Sequence, residues 1–67
     1  MLAIKYEDRT FFSYEHAGDY IAEKLGITYS RNGSKLDIYK DRQFLESYAD
    51  MTPHQYLISL AIRHTEG

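Results

Sequence analysis

Leu2, Ile4 and Tyr6 alternate with Ala3 and Lys5 at the start of the chain, the two-residue period of a strand with one buried face. Glu7-Asp8-Arg9 is a polar turn, and Thr10-Phe11-Phe12 reads either as a short returning strand or as the lead-in to a helix. The period then lengthens. Tyr14, Ala17, Gly18, Ile21 and Leu25 share one helical face, while Glu15, Asp19 and Glu23 line the far side at four-residue spacing. Ser13 is placed to cap this helix, Glu15 suits the positive end of its dipole, and Gly26 supplies the left-handed position that ends it.

The middle of the chain predicts a β-hairpin over residues 27–40. Ile27-Thr28-Tyr29-Ser30-Arg31 and Ser34-Lys35-Leu36-Asp37-Ile38-Tyr39 flank Asn32-Gly33, the preferred pair for a type I′ turn. That turn sets Tyr29 opposite Leu36 and Ile27 opposite Ile38, giving one apolar and one polar face. Asp41 can cap a third segment in which Phe44, Leu45 and Tyr48 share a helical face. Thr52-Pro53-His54-Gln55 opens a last helix: Thr52 is the N-cap, Pro53 takes a position whose N–H is not needed, and Gln55 completes a capping box. The expected fold is α+β, a small antiparallel sheet with a central hairpin and helices on one face, in the order β(β)αββαα.

Composition narrows the class. The 67 residues, 43% hydrophobic and 27% charged, fit one compact domain, residues 1–67. A domain of this size buries only about 60% of its unfolded surface, so its margin of stability is thin. With no cysteine, disulfides and thiolate metal sites are excluded, and oligomerisation is the supplement left open. The formal charge of −2 shows none of the basic excess expected of a non-specific nucleic-acid binder. No apolar run is long enough for a membrane span and no signal peptide is visible, which points to the cytosol. Seven tyrosines and three phenylalanines without tryptophan are the compositional oddity. Several tyrosines fall on inner faces, so core filling outweighs interface use as their explanation.

The pieces of an active site are missing from the pattern. His16, His54 and His64 have no pair at the spacing of a helical zinc site. No serine sits in a nucleophile elbow, and the glycines are too scattered to cradle a phosphate. The expectation is no catalytic residue, no metal and no cofactor. The stripe Glu15, Asp19 and Glu23 reads first as a solvated helix face and, more sharply, as an acidic surface that steers a basic partner.

The last helix carries the strongest anomaly. Leu57, Ile58, Leu60, Ala61 and Ile62 surround almost its whole circumference. With Tyr56, Leu57 and Leu60 turned to the core, Ile58 and Ile62 point away. Either that ridge is an interface, most simply of a homodimer, or the N-terminal arm with Phe11 and Phe12 packs over it. Lys35–Lys40 as a strand, then a helix, then Thr52-Pro53 and a second helix, resembles the element order of ribbon-helix-helix repressors. That resemblance implies a dimeric DNA-binding regulator contacting DNA through Lys35, Tyr39, Lys40 and Arg42. Asp37 on the same face and the acidic balance oppose it. The run Thr52–Leu57 is also similar to a helix start in AraC-type regulators, through shared capping chemistry. The leading expectation is a non-enzymatic protein-binding module: a regulator, inhibitor or accessory subunit, by analogy with the small inhibitors of phages and mobile elements. Its candidate contacts are Tyr39, Ile58 and Ile62, with Glu15, Asp19 and Glu23 as the steering stripe.

Overall fold

A computed structural model describes residues 3–65 of the chain. Its elements are β1 (Ile4–Tyr6), β2 (Arg9–Phe11), α1 (Tyr14–Leu25), β3 (Ile27–Asn32), β4 (Lys35–Lys40), β5 (Gln43–Ala49) and α2 (Pro53–His64). All strand pairings are antiparallel, and the fold is α+β. The strands form two sheets, however. β1 and β2 make a separate two-stranded ribbon, and β3-β4-β5 make a three-stranded sheet. Leu2, assigned to the inner face of the first strand, lies outside the described residues.

The helices form where the capping chemistry placed them. The Ser13 hydroxyl accepts from the His16 amide at 3.1 Å, and Gly26 ends α1 at φ +73°. At α2 the Thr52 hydroxyl accepts from the Gln55 amide (3.1 Å), while the Gln55 side-chain oxygen accepts from the Thr52 amide (3.0 Å). Two of the N–H groups at that helix start, those of Thr52 and Gln55, are thereby satisfied.

One element is corrected. The segment after Asp41 is a strand, not a helix, so the order is ββαβββα. Phe44, Leu45 and Tyr48 fit a helical spacing, but pairing with β4 wins over local pattern. In the strand, Tyr48 lies opposite Leu36, and its ring packs 6.0 Å from that of Tyr56 at the edge of the core. Asp41 is consequently not a helix cap. It forms a two-residue turn with Arg42, both at positive φ (+52° and +70°), the signature of a type I′ hairpin. The strand–helix–helix order behind the ribbon-helix-helix resemblance is therefore a strand–strand–helix order.

The central hairpin is present, with its turn moved by one residue. Asn32 pairs with Lys35, leaving Gly33-Ser34 as the loop, and Tyr29 faces Ile38 rather than Leu36. Only Gly33 has positive φ, as in a type II′ turn. The pairing slips by two positions, an even number, so every side chain keeps its expected face. The third strand explains the choice: the Asp50 amide donates to the Ser34 carbonyl at 2.8 Å, and that carbonyl would instead face Arg31 across an Asn32-Gly33 turn.

Both helices pack on one face of the three-stranded sheet. Ile21 and Ala22 of α1 and Tyr56, Leu57 and Leu60 of α2 join Ile27, Leu36 and Ile38 in a single core. Full burial of an Ile or Leu contributes about 1.5–3 kcal/mol. A second, smaller cluster holds Ile4, Ala17 and Ala61, with Phe11 and Tyr14 against it; this docks the β1–β2 ribbon on the helix pair. The helices cross at Gly18. A Cβ placed there would lie 1.9 Å from the Leu57 carbonyl oxygen, so the crossing admits no side chain. The Cα envelope of 36 × 23 × 14 Å is one sheet and one helix layer thick.

Two substitutions test this account. On a free helix surface Gly→Ala stabilises by about 1 kcal/mol. Gly18→Ala is expected instead to destabilise by about 2 kcal/mol or more, because two backbones must separate; urea unfolding measures the sign directly. Arg42→Gly relieves a left-handed non-glycine residue in the type I′ turn and is expected to raise stability by about 0.5–1 kcal/mol, read in the same way.

Candidate docking surfaces

No element among the described residues covers the outer face of the three-stranded sheet. Thr28, Ser30, Asn32, Lys35, Asp37, Tyr39, Phe44, Ser47 and Ala49 point away from the helices by register and alternation, and none is buried. Most are small or polar, and the Ser47 hydroxyl donates to the Asp37 carboxylate at 2.9 Å. The exception is at the Asp41-Arg42 end. The register between β4 and β5 shifts between Ile38 and Tyr39, where Glu46 and then Phe44 are the partners, leaving Leu45 as the extra residue of a bulge. Two consecutive apolar side chains are exposed as a result: Phe44 at 61% and Leu45 at 51%. The Phe44 ring stands edge-on to Tyr39 with centroids 5.9 Å apart.

Tyr39, expected as a contact residue, thus belongs to an apolar patch whose other members were not foreseen. Phe44 and Leu45 carry no sequence signal for exposure, because the bulge that turns them outward arises only on pairing.

Ile58 and Ile62, expected either as an interface ridge or as a surface under the N-terminal arm, differ in exposure. Ile58 is half-buried and Ile62 is 58% exposed. Phe11 packs on the Ile4, Ala17 and Ala61 cluster and against Tyr20 at 5.3 Å, while Phe12 remains 66% exposed.

The acidic stripe divides into two parts. Glu15 is engaged within the domain, its carboxylate 2.8 Å from His54 Nδ1 across the two helices; as an exposed pair this contributes about 0–1 kcal/mol. Asp19 and Glu23 take part in no ion pair among the described residues. They form one wall of a groove of about 440 Å³ whose floor includes Ala22 and Ile27 and whose far end carries Asp41 and Arg42. Thr28 and Tyr29 border the same groove. A second hollow of about 310 Å³ continues it past Asp19 and Tyr29 to Glu15, His16 and Leu57. Asp41, sequence-distant from the stripe, is brought there by the turn: its amide donates to the Gly26 carbonyl at 2.9 Å.

The four residues assigned to DNA contact, three of them cationic, do not share a surface. Lys35 and Tyr39 lie on the outer face with Asp37 between them, Lys40 alternates to the other side, and Arg42 lies in the turn beside the acidic groove. Among the described residues no group of three or more His, Asp or Glu side chains is arranged to hold a metal, and no helix is long and apolar enough to cross a membrane. No family model matches the chain, and no curated protein or solved structure is significantly similar to it.

Two tyrosine hydroxyls titrate above the ordinary value of 10.0. Burial pushes Tyr56 up, opposed by the Arg63 guanidinium, which lies 5.9 Å from the ring centroid. Burial and the neighbouring Glu46 carboxylate push Tyr48 up. Both shifts come from packing where the sheet meets α2. A phenol whose native pKa is raised binds its proton more tightly when folded. The corresponding stability is complete below the ordinary value and is lost as pH rises above it through the raised native value. Tyr56→Phe is therefore expected to flatten the fall of the thermal midpoint on the alkaline side of pH 10; an unchanged slope would show that Tyr56 does not couple to folding.

Proposed function

We propose that this domain is a small, non-enzymatic, cytosolic protein-binding module, a regulator, inhibitor or accessory subunit, that docks through the apolar corner of its open sheet face. The observation that carries this reading is the joint exposure of Phe44 and Leu45 beside Tyr39 on a face that no element covers among the described residues. Burying large apolar side chains on an edge strand is where a soluble domain gains most from a partner. Aromatic side chains with few rotatable bonds are also the groups that dominate interface energetics. The bulge favours the same reading, since such irregularities at sheet edges commonly re-aim side chains. Ile62 and Phe12 are single exposed apolar residues, which surfaces tolerate.

The reading is tested with the intact chain as bait and Phe44→Ser/Leu45→Ser as the matched control. Both positions are exposed, so the variant is expected to stay folded and to lose only about 1–2 kcal/mol, from the Tyr39 ring contact and strand propensity. A protein retained by the wild type should be lost by at least tenfold in the variant, measured by quantitative mass spectrometry of the captured material and confirmed with the purified partner. Equal retention by both baits would remove the apolar corner from the function. Salt-sensitive capture of duplex DNA by both would place the domain in a different class.

A further inference from the structure

The groove beside α1 has a feature that its acidic wall alone does not explain. Ile27, Thr28 and Tyr29 are consecutive residues of β3, and all three border it. Successive side chains of a strand point to opposite faces, so consecutive residues meet one groove only along the strand's edge, where the backbone is presented. That edge is open among the described residues, where β3 is the outermost strand and pairs with β4 alone. The groove thus has a strand edge on one side and the Asp19 and Glu23 carboxylates of α1 on the other, with Asp41 at the turn end. Its floor of Ala22 and Ile27 is apolar, and its volume of about 440 Å³ falls within the range of binding clefts, about 300–1,000 Å³.

We propose that this trough receives an extended, lysine- or arginine-bearing segment of a partner protein, which pairs with β3 as a fourth strand and sets its cations against Asp19, Glu23 and Asp41. The inference rests on the reading of the domain as a protein-binding module and names the chemistry of a partner at a second surface. Strand addition at an open edge obtains its affinity from main-chain hydrogen bonds and its selectivity from alternate side chains. Here the side chains on the helix side of the added strand meet carboxylates, and those on the other side join the polar row of Thr28 and Ser30. Three carboxylates stand against a single guanidinium, that of Arg42, along this trough. None of the three is neutralised by an ion pair among the described residues. The exposed ring of Tyr29 adds an aromatic surface for a cation or its methylene stem.

The test uses the full chain, isotopically labelled, and a synthetic nine-residue peptide of alternating lysine and threonine. The expected result is perturbation of the Thr28, Tyr29 and Ser30 amides in NMR titration, weakening with added salt. Asp19→Asn/Glu23→Gln, at two exposed positions, should retain the thermal midpoint and weaken binding about five- to tenfold. A peptide with glutamate in place of lysine should not bind. A peptide with proline at alternate positions, keeping the charge but lacking half of the N–H donors, should bind at least tenfold less well. Perturbations confined to residues away from β3, equal binding by the neutralised variant or by the proline peptide, or no binding at millimolar peptide would each overturn the proposal. Loss of a captured partner in Phe44→Ser/Leu45→Ser but not in Asp19→Asn/Glu23→Gln would keep the module reading while removing the trough from it.

Discussion

The contact of α1 with α2 at Gly18 sets the geometry of everything else. With the Leu57 carbonyl where a Cβ would be, the two helices form one closely joined layer rather than two rods spaced by side chains. That layer presents Ile21 and Ala22 together with Tyr56, Leu57 and Leu60 to the sheet. It also brings Ala17 beside Ala61, where small residues leave room for Ile4. A wider crossing would separate these groups and divide a core that has few fully buried large side chains to lose. The largest are Tyr56, Ile21, Leu36, Ile38 and Leu60, and in a domain of this size each represents a sizeable share of the net stability.

A two-layer build has consequences for the surface. One helix layer covers one sheet face, and among the described residues no element covers the other face or pairs with the outer edge of β3 or β5. The outer face is kept soluble by small and polar residues except at the Tyr39, Phe44 and Leu45 corner. The β3 edge is bordered by carboxylates, which discourage promiscuous pairing by apolar strands while leaving the edge open to a cationic one. The two surfaces proposed for binding are thus places where adjoining apolar side chains or strand backbone lack an internal partner among the described residues.

Much of the local structure was legible because it depends on short-range chemistry. Ser13, Gly26, Thr52, Pro53 and Gln55 act within one helical turn of their own position, and the helices begin and end accordingly. The alternation of Ile27, Tyr29, Leu36 and Ile38 assigned the inner face even though the hairpin turn fell one residue later, since a slip of two leaves parity unchanged. Of the candidate site, the acidic stripe and Tyr39 were visible. Phe44 and Leu45 were not, because with Tyr48 they satisfy a helical spacing equally well, and only pairing with β4 resolves the ambiguity.

The sequence by itself determined the α+β class, both helices with their caps, the strand character of the central segment and the polarity of its faces, because each is decided by residues a few positions apart. Tertiary structure decided what depends on residues distant in the chain. The edge of β4 made Gln43–Ala49 a strand, and the bond from Asp50 to Ser34 selected the Gly33-Ser34 turn. The bulge exposed Phe44 and Leu45 together. The Asp41-Arg42 turn, held against Gly26, brought a third carboxylate to the groove beside α1. Pairing free energy between strands is non-local, and where it exceeds the small differences in local propensity, no window of neighbouring residues contains the answer.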